Sequence, residues 1–204
     1  VAFTSVLRRA TETLEIVLAA LDMSGIPVNR SWRLNERHYG AMQGMSRQEA
    51  ARTFGLKRLV TWQSGYGERP PPVAPDDRRH PSQDPRYAEL AESLLPCTES
   101  LSDTLERVMP LWYEAILPEL LGGKRVLVVG HKTSLRALRK HLEGISDADI
   151  ATLTVRTGEP IAYRLDEHGA LVWHKSLNPS GRVKRWAQAA LGKWVQHSPR
   201  RGYL

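Results

Sequence analysis

The sequence predicts a three-layer α/β/α sandwich whose sheet is mixed but mostly parallel, and three observations carry that prediction. Helical-period stretches alternate with short β-type runs, as they do when helices cross over between parallel strands. Lys124-Arg125-Val126-Leu127-Val128-Val129-Gly130 holds an unbroken apolar run, which implies a strand covered by helices on both faces. Pro160–Leu165 and Ala170–Lys175 flank Asp166-Glu167-His168-Gly169, the pattern of an antiparallel hairpin at one edge.

The elements follow in order. Val1-Ala2-Phe3-Thr4-Ser5 reads as the end of a strand, so the first strand is expected to be largely missing and the chain N-terminally truncated. Ser5 is the expected cap of a helix carrying Leu7, Ala10, Leu14, Leu18 and Leu21, ended by Gly25-Ile26-Pro27. Ser46 and Glu49 form a capping box for a helix toward Phe54-Gly55, and a short helix is expected over Leu56–Gln63. Ser64 to Pro85 is a long loop rich in Gly and Pro, of the kind that serves as a lid or linker. A helix from Ser100 carries the stripe Leu101, Leu105, Val108, Trp112, Ile116 and Leu120, with kinks expected at Pro110 and Pro118. After the buried strand, His131-Lys132-Thr133-Ser134 leads into a helix that Gly144 stops.

With 41% hydrophobic residues in 204, the chain can build one sizeable core, which excludes a disordered protein. Cys97 is the single cysteine, so no internal disulfide framework exists, and a reducing, cytoplasmic setting is expected. The net charge of +7 is unevenly placed. Taking the six bases of residues 178–204 from the 29 leaves 23 against 22 acids in residues 1–177. Two units follow: a domain over 1–177 and a basic tail over 178–204. In the tail, Val183, Trp186, Ala190, Leu191 and Trp194 fall at helical spacing among Arg and Lys. That helix is expected to pack back on the domain; an acidic partner or an anionic membrane surface are the other occupants, and nucleic acid is disfavoured by the near-neutral body.

Position singles out two places for chemistry. His131 stands at a strand-to-helix junction, where open α/β sheets present free N–H groups to anions; a helix-capping role fits the same position. Ser31-Trp32-Arg33-Leu34-Asn35-Glu36-Arg37-His38-Tyr39-Gly40 places one carboxylate among cations, suited either to proton transfer in an anion site or to a solvated surface.

The segments Thr4–Ala10, Ser31–Gly44, Pro70–Pro72, Asp84–Leu90, Thr98–Trp112, Ile116–His131 and Ser134–Ile150 resemble cofactor-dependent phosphoglycerate mutases in order and spacing. The Leu34-Asn35-Glu36-Arg37-His38-Tyr39-Gly40 run is the most specific. The resemblance implies interconversion of 3- and 2-phosphoglycerate through a phosphohistidine primed by 2,3-bisphosphoglycerate, without a metal. It implies Glu36 as proton donor and acceptor, His131 as the histidine that stabilises the transferring phosphoryl group, and Arg9 as a phosphate ligand. Arg37 and Tyr39 match substrate contacts, and Arg47 stands where such mutases carry a substrate-binding lysine. A small anionic phosphorylated substrate and a homo-oligomer are further implications.

Three departures qualify the resemblance. The nucleophile of such mutases lies in an Arg-His-Gly motif, and these 204 residues contain none. Their Trp-Arg-Arg is Trp62-Gln63-Ser64 here, with two cations lost, and their His-Gly-Asn is His131-Lys132-Thr133. Lys132 and Thr133 therefore join the candidate binding residues, with Lys132 expected to restore part of the lost charge. The readings are a mutase, a broad-specificity histidine phosphatase, or a catalytically inactive binding module.

Overall fold

A computed structural model describes residues 1–177; the expected tail helix lies outside the described residues. Strand β1 (Ala2–Thr4) is the centre of a parallel sheet ordered β2-β1-β3, with β2 at Val28–Arg30 and β3 at Leu127–Val129. Phe3 lies opposite Asn29 on one side and Val128 on the other. Alternation along the strands sorts the side chains by face. Ala2, with Leu127 and Val129, packs on Leu14 and Leu18 of helix α1 (Arg8–Ala20). Phe3 and Val128 point the other way, into the main core with Val108, Trp112, Ile116, Leu120 and Leu138. The sheet is thereby covered on both faces, the expected three layers.

Two helices precede the long loop, α2 (Arg47–Phe54) and α3 (Leu56–Ser64). The capping box of α2 forms as expected: Ser46 N donates to Glu49 Oε2 at 2.7 Å and Glu49 N to Ser46 Oγ at 3.2 Å. Ser5, by contrast, does not cap α1, which starts at Arg8 with Leu7 in the capping position. Its hydroxyl accepts from Leu7 N at 3.1 Å and turns toward His131 instead.

Helix α4 (Leu101–Leu111) carries its own capping box, Ser100 with Asp103. The kinks expected at the two prolines take a different form. Past Pro110 the chain widens into a π turn over Trp112–Ile116 and continues without a break into α5 (Leu117–Leu121), which carries Pro118. The widened turn lies just before Pro118, whose ring and missing N–H do not fit an unbroken α-helical ladder. Helix α6 (Lys132–Glu143) follows β3 and ends at Gly144 in the left-handed conformation.

The hairpin forms as β4 (Ile161–Leu165) and β5 (Leu171–Ser176) but is hydrogen-bonded as a separate two-stranded sheet, tied to the main core through Leu165. The long loop is a docked wall rather than open coil. Val73 is buried and its N–H donates to Cys97 O at 3.1 Å, while His80 and Asp84 cap short 3-10 turns at Pro81–Gln83 and Pro85–Tyr87. No helix of the described residues is long and apolar enough to cross a membrane.

Candidate active site

His131 sits at the carboxyl end of β3 as the residue that opens α6, and it is 6% exposed. Its Nδ1 accepts from Arg9 Nε at 3.0 Å, and its Nε2 meets Ser5 Oγ at 2.8 Å. A guanidinium only donates, so Nδ1 must carry the lone pair and Nε2 the proton, which goes to Ser5. Burial, with Arg9 and Arg107 nearby, pushes the imidazole down to about 4, so it is neutral at pH 7. In this arrangement His131 orients the Arg9 guanidinium.

An imidazole held neutral in the fold, yet free to protonate when unfolded, makes the unfolded chain the better proton binder between pH 6.5 and about 4. Stability is complete above that window and falls as pH drops through it, by on the order of 2 kcal/mol near pH 5. Urea unfolding at about pH 7.5 and 5 is expected to show a smaller loss in His131→Gln than in the unaltered chain. Equal losses in the two proteins would refute the assignment.

Glu36 approaches the start of α6 from the opposite side. Its Oε1 accepts from Thr133 N at 3.1 Å and from Arg37 N at 2.9 Å, and Oε2 has no partner among the described residues. One oxygen is thus fixed and the other is open for proton exchange. Tyr39 OH stands 3.4 Å from Thr133 Oγ1, and the Arg37 guanidinium lies 4.5 Å over the Tyr39 ring. Arg37 is 1% exposed; one nitrogen donates to Trp62 O at 2.7 Å, while Nε and Nη1 have no protein partner. Buried donors left open in this way are costly unless a ligand or water accepts from them.

The segment bearing Glu36 and Arg37 is held from beneath. Arg107 pairs with Glu99 at 2.5 Å and donates to the carbonyls of Arg33 and, at 2.8 Å, Asn35. Glu99 Oε2 in turn accepts from His38 N at 2.8 Å.

These residues border a cavity of about 940 Å³. Arg9, Glu36, Arg37, Tyr39 and Arg47 line it, as does Gln63. His131 and Thr133 stand behind that lining and act through Arg9, Glu36 and Tyr39. Lys132 is exposed and does not line the cavity, because the first turn of α6 presents Thr133, not its neighbour, to Glu36. The structure therefore gives Lys132 no part in replacing the charge lost at Gln63 and Ser64. Sequence reasoning missed Ser5, Glu99 and Arg107, and it missed the far wall, where Arg78, Arg79, Arg86 and Tyr87 face the cavity. The dense Arg-Arg-His-Pro run inside a long loop was the available signal.

Among the described residues, no histidine at this site offers a free ring nitrogen to the cavity. Both nitrogens of His131 are engaged, His80 Nε2 lies 3.1 Å from Cys97 Sγ with Nδ1 2.7 Å from Ser82 Oγ, and His38 Nδ1 accepts from Gly40 N at 3.1 Å, with its ring also bonded to the Cys97 backbone.

The fold is similar to that of known proteins. The mycobacterial glucosyl-3-phosphoglycerate phosphatase is 19% identical, with a TM-score of 0.59 over 86% of this chain and 74% of that one. Its complex with inorganic phosphate gives 20%, 0.60, 92% and 78% respectively. The alpha-ribazole phosphatase from Shigella flexneri is 19% identical, with a TM-score of 0.56 over 85% of this chain and 71% of that chain. At such identities the likeness establishes a common fold. A model of the histidine phosphatase superfamily (branch 1) matches residues 1–174, and to that family the chain belongs.

Proposed function

We propose that these residues bind a small phosphomonoester and serve its hydrolysis: Arg9 holds the phosphoryl group, a nucleophile that the described residues do not supply attacks phosphorus, and Glu36 passes a proton to the leaving oxygen as its bond to phosphorus breaks. The observation that supports this reading is the Glu36 carboxylate, held at one oxygen by two backbone N–H groups and open at the other, in a cavity lined by cations. Phosphoryl transfer depends on positioning and charge stabilisation, which guanidinium groups and one acid supply. A phosphatase is favoured over a mutase because the structural neighbours named above are phosphatases. Gln63 and Ser64 also lack the cations with which a mutase grips phosphoglycerate.

The mutase is the second reading, favoured by the Leu34–Gly40 run. Arg9, Arg37 and Arg47 fit the charges of 2,3-bisphosphoglycerate, which when bound would supply a phosphoryl group. The nucleophile is a separate question, since no imidazole of the described residues at the site is free.

Calorimetry with inorganic phosphate tests the binding step. Arg9→Ala is expected to weaken affinity about tenfold, the loss of one charge-assisted contact. No phosphate binding at millimolar concentration would overturn the proposal. The 204 residues are also expected to form no acid-labile phosphohistidine from bisphosphoglycerate. Where turnover is measured, Glu36→Gln should slow hydrolysis of an alkyl phosphate ~10²-fold and of p-nitrophenyl phosphate far less, because nitrophenolate leaves without a proton. Equal slowing of both esters would remove Glu36 from the proton-donor role, and a single release rate for phosphate with and without 3-phosphoglycerate isomerisation would separate phosphatase from mutase.

A further inference from the structure

The carboxyl end of α3 is closed by two guanidinium groups, and only one of them borders the cavity. The last four carbonyls of a helix find no partner within it. In α3 these belong to Thr61, Trp62, Gln63 and Ser64. Gly65 N donates to Thr61 O at 2.8 Å, and Arg37 Nη2 donates to Trp62 O at 2.7 Å. Arg136, from α6, serves the other two: Nη1 donates to Gln63 O at 3.3 Å and Nη2 to Ser64 O at 2.8 Å. Nη2 also reaches Ile150 O at 2.5 Å, so one fork joins α6 to the end of α3 and to the turn at Asp149–Thr152.

Both side chains are deeply buried, Arg37 at 1% and Arg136 at 4% exposure, and neither pairs with a carboxylate among the described residues. The carbonyls and the negative end of the helix dipole stand where a counter-ion would. Burial, and then the Arg37 charge, push the Arg136 guanidinium below its ordinary pKa. The buried side-chain nitrogens left without a partner among the described residues are Arg37 Nε and Nη1 and Arg136 Nε. Arg37 lines the cavity and Arg136 does not. Arg136 therefore fixes the helix end that fixes Arg37, without bordering the ligand space itself.

We infer that Arg136 is a positioning residue for anion binding: by pinning the last turn of α3 it holds the Trp62 carbonyl where Arg37 must lie to keep Nε and Nη1 for the ligand. This rests on the phosphomonoester reading above and adds to it a residue that acts through Arg37. The planar fork of a guanidinium reaches carbonyls on two elements at once, which the point charge of a lysine does not. Without the fork, Gln63 O and Ser64 O lose their donors, the last turn of α3 frays, and Trp62 O no longer sets the place of Arg37.

Calorimetry with inorganic phosphate on the 204-residue chain tests this as a double-mutant cycle. Arg37→Met is expected to weaken affinity about tenfold, the loss of one charge-assisted contact, and Arg136→Met about fivefold by releasing Arg37. The double variant should bind no more weakly than Arg37→Met alone, because Arg136 has nothing left to position. Losses that multiply to about fiftyfold would overturn the inference, as would unchanged affinity in either single variant. Leu138→Ala, which loosens the main core from the same helix, should leave affinity within about twofold; a loss equal to that of Arg136→Met would assign the effect to general destabilisation and overturn the inference too. Arg136→Lys keeps the charge, gives up the fork and serves where Arg136→Met does not fold. It is expected to weaken phosphate about threefold beside Arg37 and not at all in Arg37→Met, and full affinity in Arg136→Lys would refute the positioning role. If the unaltered chain binds phosphate and the Arg136 variants bind it equally well, only the role of Arg136 fails; if it binds none, both readings fail.

Discussion

Arg107→Met is expected to cost about 3–5 kcal/mol of stability, the penalty for leaving a buried charge without its partner. Side-chain exposure is 7% for Arg107 and 5% for Glu99, so solvent can do little for the stranded carboxylate. The loss extends beyond the pair. Arg107 also satisfies the carbonyls of Arg33 and Asn35, and Glu99 holds His38 N, so the whole Trp32–His38 segment depends on it. Adding Glu99→Gln should recover only part of the loss, because the carbonyls stay without donors. Urea unfolding measures both variants. A loss below about 1 kcal/mol in Arg107→Met would mean that the ion pair is solvated and the support dispensable.

The second large effect is expected at Gly40, whose φ of +57° lies in the left-handed region. A Cβ there would stand 2.0 Å from Pro71 O, a backbone atom that cannot step aside without moving the Pro70–Pro72 segment. That segment is tied down by Ala41 N to Pro71 O at 2.8 Å and Thr98 Oγ1 to Pro70 O at 2.7 Å. Backbone strain and overpacking together put Gly40→Ala at roughly 2–5 kcal/mol. Gly44 supplies the control: its φ is +79°, but a Cβ would meet nothing within 4 Å, so Gly44→Ala should cost only about 1 kcal/mol. Equal melting temperatures for the two variants would show that the loop yields and that the close approach is not a constraint.

What the sequence made legible follows from how each feature is encoded. The buried strand before His131 and the helix behind it are local patterns, so their junction could be located; Glu36 and Arg9 are brought to it only by the resemblance to phosphoglycerate mutases. Ser5 could not be placed there. A serine before an apolar helical run reads as a cap, and only the tertiary approach of His131, 126 residues away, takes its hydroxyl. Arg78 and Arg79 are identical neighbours in the sequence. Asp77 and two carbonyls of the Ala41–Gln43 turn consume one and leave the other open, a distinction that exists only after folding. Arg107 carries no local sign of burial in the sequence; Glu99 and the Trp32–Asn35 turn close over it only in the fold.

The π turn at Trp112–Ile116 has a meaning in chain length. Val108, Trp112, Ile116 and Leu120 are all buried in one core, yet they are separated by three successive steps of four residues. In an α-helix each such step overruns a full turn by about 40°, so three would carry Leu120 about 120° away from the stripe. The wider turn absorbs the surplus. The segment therefore holds one residue more than a straight helix would need to bury the same side chains. The exposed pair Tyr113 and Glu114 occupies that slack. Insertions and deletions of a single residue have a permitted place in this core at that turn, whereas one residue gained or lost within Leu101–Leu111 would rotate Leu101 and Thr104 relative to everything that follows.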